Sequence, residues 1–306
     1  MPETLFKINA KEYILPGNRS CQGCGLSLAY RMALKALREK TIMVIGPSCL
    51  CVLHGLYPST AVMVPGLNTT FASAGAAASG LVAGLRALGR DDETVVAFIG
   101  DGGTFDMGIQ SLSGAAERQT DFIYVCYDNE GYMNTGTQRS SATPLGAITS
   151  TTPLLAKEEH KKDLVRIMEA HEVPYIATAN PAYPIDLYAK FVKAKKIKGT
   201  RYLHLFIPCP PGWGFPPKDT IRLGRLAVES GVFPLFEIEN GRFRFTGRSR
   251  ALAERGHKIP VSNYLERQAR FGRMTPAQVQ VFQQWVDRRW EEYVRRAEAD
   301  AKHFSP

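Results

Sequence analysis

Along the first two-thirds of the chain, short apolar runs rich in β-branched residues alternate with stretches of helical periodicity. The runs at 41–45, 61–64, 94–99, 122–127, 175–178 and 202–207 predict strands. Several are continuously apolar, as expected of parallel strands covered on both faces. Helical patterns fill the intervals at 26–39, 74–88, 107–117, 158–170 and 185–195. This alternation predicts an α/β fold with a doubly wound parallel sheet. Ligands in such sheets bind at the carboxyl ends of the strands, so the loops that follow strands are where chemistry is expected.

The pattern changes after Cys209. Pro208, Pro210, Pro211, Pro216 and Pro217 break any regular element and mark a rigid exit from the sheet. The division this predicts is an α/β domain over 1–218 and a C-terminal extension over 219–306, packing on the domain or on a partner subunit. Within the extension the pattern predicts a helix near 220–230 and a hairpin of 235–238 and 242–246 around Asn240-Gly241. A long helix follows, opened by Thr275-Pro276-Ala277-Gln278 as N-cap, first-turn proline and capping-box glutamine. Val279, Phe282, Val286, Trp290 and Tyr293 form one stripe on it, which predicts core or subunit contact.

Composition narrows the class. The chain has 306 residues, 44% apolar and 22% charged, in the globular range. No apolar run approaches the roughly 20 residues of a membrane helix. Met1 to Ala10 lacks a basic start followed by an apolar block, so the expectation is a cytoplasmic protein with no membrane association. The net charge of +9 comes from scattered basic residues concentrated only in the last third, so no nucleic-acid partner is expected. Of six cysteines, Cys126 lies inside an apolar run and reads as a buried thiol. Cys21, Cys24, Cys49, Cys51 and Cys209 lie next to turns, a distribution that calls for a metal or cluster rather than disulfides.

The strand at 94–99 runs into Gly100-Asp101-Gly102-Gly103. The glycines allow close approach of a phosphate, and Asp101 offers a hard oxygen to Mg²⁺. One helix and one strand later comes Asp128-Asn129-Glu130-Gly131, with Asn129 twenty-eight positions after Asp101. Adjacent parallel strands bring such loops together, so a carboxylate, an amide and the Gly131 carbonyl can meet on one octahedral ion. Gly-Asp-Gly followed at this spacing by Asn resembles the signature of thiamine-diphosphate enzymes. The resemblance implies that Asp101, Asn129 and the Gly131 carbonyl hold Mg²⁺, and that Gly100, Gly102 and Gly103 contact the diphosphate. The usual Asn-Asn ending stands here as Asp128-Asn129, and the ligating second position is kept.

Cys21-Gln22-Gly23-Cys24 precedes a helix, while Cys49 and Cys209 follow strands, on the same sheet edge as the predicted Mg²⁺ loop. Four thiolates could take zinc or an iron–sulfur cluster; beside a thiamine site only the cluster provides an electron acceptor. Taken together, the segments 16–25, 100–106, 127–140 and 208–213, with the tail at 264–290, resemble the β subunit of 2-oxoacid:ferredoxin oxidoreductases of the pyruvate type. The resemblance implies a 4Fe–4S cluster on Cys21, Cys24, Cys49 and Cys209. It also implies thiamine contacts from Pro47, Ser48, Cys49 and Leu50, a polar cofactor contact at Asn68, and Asn134 facing the reacting carbon as catalytic residue. The family usually has Gly before the third cysteine, whereas Pro47-Ser48-Cys49-Leu50-Cys51 offers two candidates. Spacing from Cys24 favours Cys49. Read as an extended segment, the two would point the same way about 6.5 Å apart.

The activity so implied is reversible oxidative decarboxylation of a 2-oxoacid, most simply pyruvate to acetyl-CoA and CO₂. Coenzyme A captures the acyl group, and electrons leave singly through the cluster to ferredoxin. Only half of a thiamine pocket fits in this length, and no ferredoxin-like cysteine run is present. The expected partners are therefore an α subunit with the pyrimidine-binding half, γ/δ-type subunits with ferredoxin-like clusters, and ferredoxin. The alternatives are a different oxoacid such as oxalate, a non-redox thiamine lyase subunit, and a zinc-stabilised subunit without turnover.

Overall fold

The strands and helices alternate as the apolar pattern predicts. In the computed structural model, which describes residues 8–303, the chain begins with α1 (Gly25–Leu37), β1 (Thr41–Ile45), α2 (Cys49–His54), β2 (Gly66–Asn68) and α3 (Ala74–Ala87). It continues through β3 (Thr94–Gly100), α4 (Ile109–Glu117), β4 (Phe122–Asp128), α5 (Leu164–Glu169), β5 (Tyr175–Ala179), α6 (Pro184–Lys196) and β6 (Thr200–Phe206). Then come α7 (Pro210–Trp213), α8 (Thr220–Glu229), β7 (Phe236–Glu239), β8 (Arg242–Phe245), α9 (Gly247–Arg255), α10 (Ser262–Leu265) and α11 (Pro276–His303). The leader reading on Met1–Ala10 concerns mostly residues outside the described range. No helix among the described residues is long and apolar enough to cross a membrane.

All eight strands form one sheet in the order β2-β1-β3-β4-β6-β5-β7-β8. The first six are mutually parallel, and β7 and β8 extend the edge antiparallel. The doubly wound sheet with a C-terminal hairpin and helices is thus the observed fold. Alternation along β3 shows why its sequence is continuously apolar. Val96 and Phe98 face a core shared with α1 and α6, and Val95, Ala97 and Ile99 face one shared with α3 and α4. A third core gathers Phe206, Trp213, Leu223, Tyr264 and Phe282 around the extension. The capping box of α11 is formed, Gln278 N–H donating to Thr275 Oγ1 at 3.3 Å and Thr275 N–H to Gln278 Oε1 at 2.9 Å. Its stripe is core within this chain: Phe282 and Val286 join the third core, and Trp290 and Tyr293 the second.

Some elements differ from expectation. Residues 61–64 pair only loosely with 13–15, through Leu15 N–H to Ala61 O and Met63 N–H to Tyr13 O, and the edge strand begins beyond Pro65. The helix expected over 158–170 is confined to α5, because the Asp163 carboxylate accepts from Arg166 N–H and caps it. Lys161 and Lys162, just before it, are drawn to tertiary partners instead. Gly102–Met107 forms a π-helical turn ahead of α4. Cys49 and Cys51, read above as lying on an extended segment, belong to the helix α2.

Candidate metal, cofactor and cysteine site

Register sets the site. Gly100 of β3 lies opposite Tyr127 of β4, and Asp128 opposite Phe206 of β6, so Asp101, Asn129 and the loop to Cys209 all emerge at one edge. A cleft of about 110 Å³ opens there. Of the predicted site residues its wall holds Pro47, Ser48, Cys49, Gly100, Asp101, Gly102, Gly103, Asn129, Gly131 and Asn134. Two of the predicted thiamine contacts lie elsewhere. Leu50 is fully buried in the first core, its N–H donating to Tyr127 Oη at 3.3 Å, and Asn68 is exposed at the end of β2.

Asp101 is 1% exposed, and its Oδ2 accepts from Ser140 Oγ at 2.5 Å. Burial, and then the charge of Asp128, push its carboxyl well above the usual carboxylate range. The Asn129 amide is wedged beside it, one end 2.8 Å from Asp101 Oδ1 and 3.0 Å from the Gly131 carbonyl oxygen. With nitrogen at that end the amide donates to both. With oxygen there, its nitrogen turns to the Cys49 thiol at 4.0 Å and three oxygens converge with no donor among them. An octahedral Mg²⁺ with Mg–O near 2.05 Å spaces neighbouring oxygens about 2.9 Å apart, so the triad fits that ion.

Gly102 and Gly103 open the π-helical turn, whose first amides have no carbonyl partner within it. Tyr132 covers this turn. Its hydroxyl donates to Gly102 O and reaches Asp106 Oδ2, both at 3.1 Å, and a Cβ on Gly102 would meet its ring at 2.2 Å.

Behind the triad lies a buried charge network that no sequence motif marks. Lys161 Nζ bridges Asp128 Oδ2 at 2.8 Å and Glu130 Oε1 at 3.0 Å. His204 Nε2 lies 2.8 Å from Asp128 Oδ2. Burial alone would raise the Asp128 carboxyl, but Lys161 and His204 outweigh it and hold it at about 2. Glu130 is also paired with Arg270 at 2.6 Å. Ser140 ends a segment that the family resemblance already singles out. Lys161 and Arg270 carry no local signal, because an isolated basic residue in a loop looks like any solvated one.

Cys21, Cys24, Cys49 and Cys209 are free thiols. Cys24 N–H donates to Cys21 O at 3.1 Å in a tight turn, while Cys49 opens α2 and Cys209 precedes α7. Burial first, with the charges of Cys21 and Cys24 added, pushes both Cys49 and Cys209 up to about 12. Cys209 acts on Cys49 in the same direction, so the four thiols share one neighbourhood. Among the described residues no three His, Cys, Asp or Glu side chains converge tightly enough for a single metal ion. Cys51 lies about 200° round α2 from Cys49, though both touch the first core. The two cysteines therefore point apart, contrary to the extended-segment expectation. Cys126 is buried in β4 as expected.

Comparison with known proteins agrees with this architecture. The thiamine pyrophosphate enzyme, C-terminal TPP binding domain family matches residues 45–205, from the end of β1 to the end of β6. The pyruvate synthase subunit PorB of Methanothermobacter thermautotrophicus is 48% identical, the match covering 92% of this chain and 97% of that protein. The ketoisovalerate oxidoreductase subunit VorB of Pyrococcus horikoshii is 44% identical, with 97% and 98% covered. The solved 2-oxoglutarate:ferredoxin oxidoreductase from Magnetococcus marinus shares the fold, with a TM-score of 0.56 at 23% identity over 74% of this chain and 84% of that one. Identity at this level over nearly the full length places the chain, an oxidoreductase subunit, in the family of 2-oxoacid:ferredoxin oxidoreductase β subunits.

Proposed function

We propose that this subunit carries the metal and diphosphate half of a thiamine site and a 4Fe–4S cluster. The enzyme it serves would interconvert pyruvate and acetyl-CoA plus CO₂, with ferredoxin as one-electron partner. One observation carries the reading: the Asn129 amide spans from the Asp101–Gly131 oxygens to the Cys49 thiol. A metal ligand and a cluster ligand are thereby neighbours on one sheet edge.

In this reading Asp101, Asn129 and the Gly131 carbonyl hold Mg²⁺, which anchors the diphosphate against Gly100, Gly102 and Gly103. Pro47 and Ser48 form the opposite wall, and Asn134, exposed beside them, faces the substrate. Bound thiamine diphosphate supplies the electron sink for decarboxylation. The chain's own residues position it and restrict water at the buried carboxylate. Cys21, Cys24, Cys49 and Cys209 hold the cluster. A tetrahedral zinc would draw thiolates to about 3.8 Å of one another. Four thiols in mutual electrostatic reach without such convergence favour the larger iron–sulfur cage. An α subunit completes the pyrimidine half, γ/δ-type subunits relay electrons, coenzyme A is cosubstrate, and the assembly works in the cytoplasm. A branched 2-oxoacid is the second reading, supported by the 44% identity to VorB.

The test is anaerobic copurification of the chain with its partner subunits, followed by coenzyme A-dependent reduction of a low-potential acceptor. The substrate panel is pyruvate, 3-methyl-2-oxobutanoate, 2-oxoglutarate and oxalate. The expected result is about four more iron atoms per complex than in the same complex carrying Cys49→Ser, and fastest turnover with pyruvate. Equal iron in the two complexes, or faster turnover with the branched acid, would overturn the corresponding part.

A further inference from the structure

The C-terminal extension reaches the site through one side chain. Arg270, in a turn between α10 and α11, is buried beneath the sheet edge. Its guanidinium pairs with Glu130 Oε2 at 2.6 Å, donates to Tyr264 Oη at 3.0 Å, and donates through Nε to Gln268 Oε1 at 2.9 Å. It also lies flat on the Trp213 indole, 3.9 Å from the ring centre.

Both contacts lead into the site. Glu130 stands between Asn129 and Gly131 with φ at +66°, a left-handed conformation unfavourable for a glutamate. That conformation turns the Asn129 side chain and the Gly131 carbonyl toward one point. Glu130 is held in it by Arg270 on one oxygen and Lys161 on the other, and its own carbonyl accepts from Thr143 Oγ1 at 2.8 Å. Trp213 ends α7, the helix that starts after Cys209, and its indole N–H donates to Asn129 O at 2.7 Å. Ala269 N–H bonds Gly214 O at 3.2 Å and secures the same turn.

We propose that Arg270 is a positioning residue that locks the Asn129–Gly131 turn to the Cys209 loop. The proposal rests on the functional reading above. Geometry supplies the lock: one guanidinium nitrogen bonds Glu130 and Tyr264, Nε bonds Gln268 and the guanidinium carbon lies over Trp213, a set that a lysine cannot hold at once.

Arg270→Met and Arg270→Lys in the copurified complex test the lock. The readout is the Mg²⁺ concentration for half-maximal thiamine diphosphate retention, with retention at saturating Mg²⁺ as the second measurement. Arg270→Met is expected to raise the Mg²⁺ requirement roughly 10- to 100-fold, the usual effect of losing a group that orients a metal ligand, with full retention recovered at saturating Mg²⁺. Arg270→Lys keeps a charge but loses the stack on Trp213, and is expected to raise the requirement as well. An unchanged Mg²⁺ requirement in both, or retention that saturating Mg²⁺ does not restore, would overturn the proposal. If Arg270→Met fails to assemble, Glu130→Gln weakens the same link. It should raise the Mg²⁺ requirement, and an unchanged requirement would overturn the lock. A wild-type complex lacking the cluster signal or thiamine retention would overturn the functional reading, and this proposal with it.

Discussion

The choice between Cys49 and Cys51 as cluster ligand can be decided on energetic grounds. Both lie on α2 and both touch the first core, but Cys49 also lines the cleft, with the Asn129 amide 4.0 Å from its sulfur. For Cys51 to stand in for Cys49, α2 would have to turn by about 160° and slide by about 3 Å. That rotation would expel Leu50 and Leu53, which are 0% and 2% exposed. Exposing two such side chains costs about 3–6 kcal/mol. The rotated helix would therefore be disfavoured by about two to four orders of magnitude, before loss of the Leu50 N–H to Tyr127 hydrogen bond is counted.

Cys49→Ser is thus expected to lose or destabilise the cluster, and Cys51→Ser to keep it. Anaerobic iron and acid-labile sulfide content, with EPR of the dithionite-reduced protein, measures the outcome. A thermal melt shows that each variant is folded. Cys49→Ser should also lose ferredoxin reduction more severely than CO₂ release, because disposal of single electrons needs the cluster. Full iron content in folded Cys49→Ser, or iron loss in folded Cys51→Ser, would refute the reasoning.

Other expected outcomes follow from the same geometry. Asp101→Ala should abolish Mg²⁺-dependent thiamine diphosphate retention, measured by equilibrium dialysis, while iron content stays intact, since the two sites use different ligands. Gly102→Ala should destabilise the chain by about 1–3 kcal/mol through overpacking, because the new Cβ would lie 2.2 Å from the Tyr132 ring. Urea unfolding measures this, and unchanged stability would mean that the ring moves freely. Burial holds the Lys157 ammonium down to about 8 from its usual 10.5, so between those values the unfolded chain binds a proton that the folded one does not. Stability from this group therefore rises with pH across that window. The difference in unfolding midpoint between wild type and Lys157→Met should change in that direction from pH 8 to 10, and a constant difference would sink the assignment.

Legibility in the amino-acid sequence depends on whether the signal is local. The parallel strands announce themselves as apolar runs, and Gly100–Gly103 with Asn129 twenty-eight residues later encodes one βαβ unit, so the oxygen triad is legible from the sequence alone. Helix α2 is not legible. It is six residues long, less than two turns, too short for helical periodicity to emerge from a run that also reads as extended. The apolar run at 61–64 misleads for a related reason: it satisfies the strand pattern, yet its partners are the irregular residues 13–15 rather than the sheet. Leu50 sits among predicted cofactor contacts but faces the core, because adjacent residues of a helix point about 100° apart. The buried network is beyond reach altogether. Arg270 meets Glu130 across 140 residues, and no spacing rule connects them.

Strand order makes the position of the cysteines a problem in its own right. Cys49 follows β1 and Cys209 follows β6, with β3 and β4 between them, so their strands are three spacings or about 14 Å apart. Loops leaving strands that far apart share one neighbourhood only if both fold inward over the ends of the central pair. The structure shows both folds. On one side α2 begins three residues after Gly46 and carries Cys49 to the Asn129 amide. On the other, Pro208 to Pro211 turn the chain sharply into α7, whose Trp213 reaches the Asn129 carbonyl. Asn129, the first residue beyond β4, is therefore held by its side chain from the β1 side and by its backbone from the β6 side. A cluster on these cysteines would rest over the ends of β3 and β4, above the oxygen triad. With thiamine and cluster bound as proposed, a short path between them would follow from placing Asp101 and Asn129 on the two strands that the cysteine loops must cross.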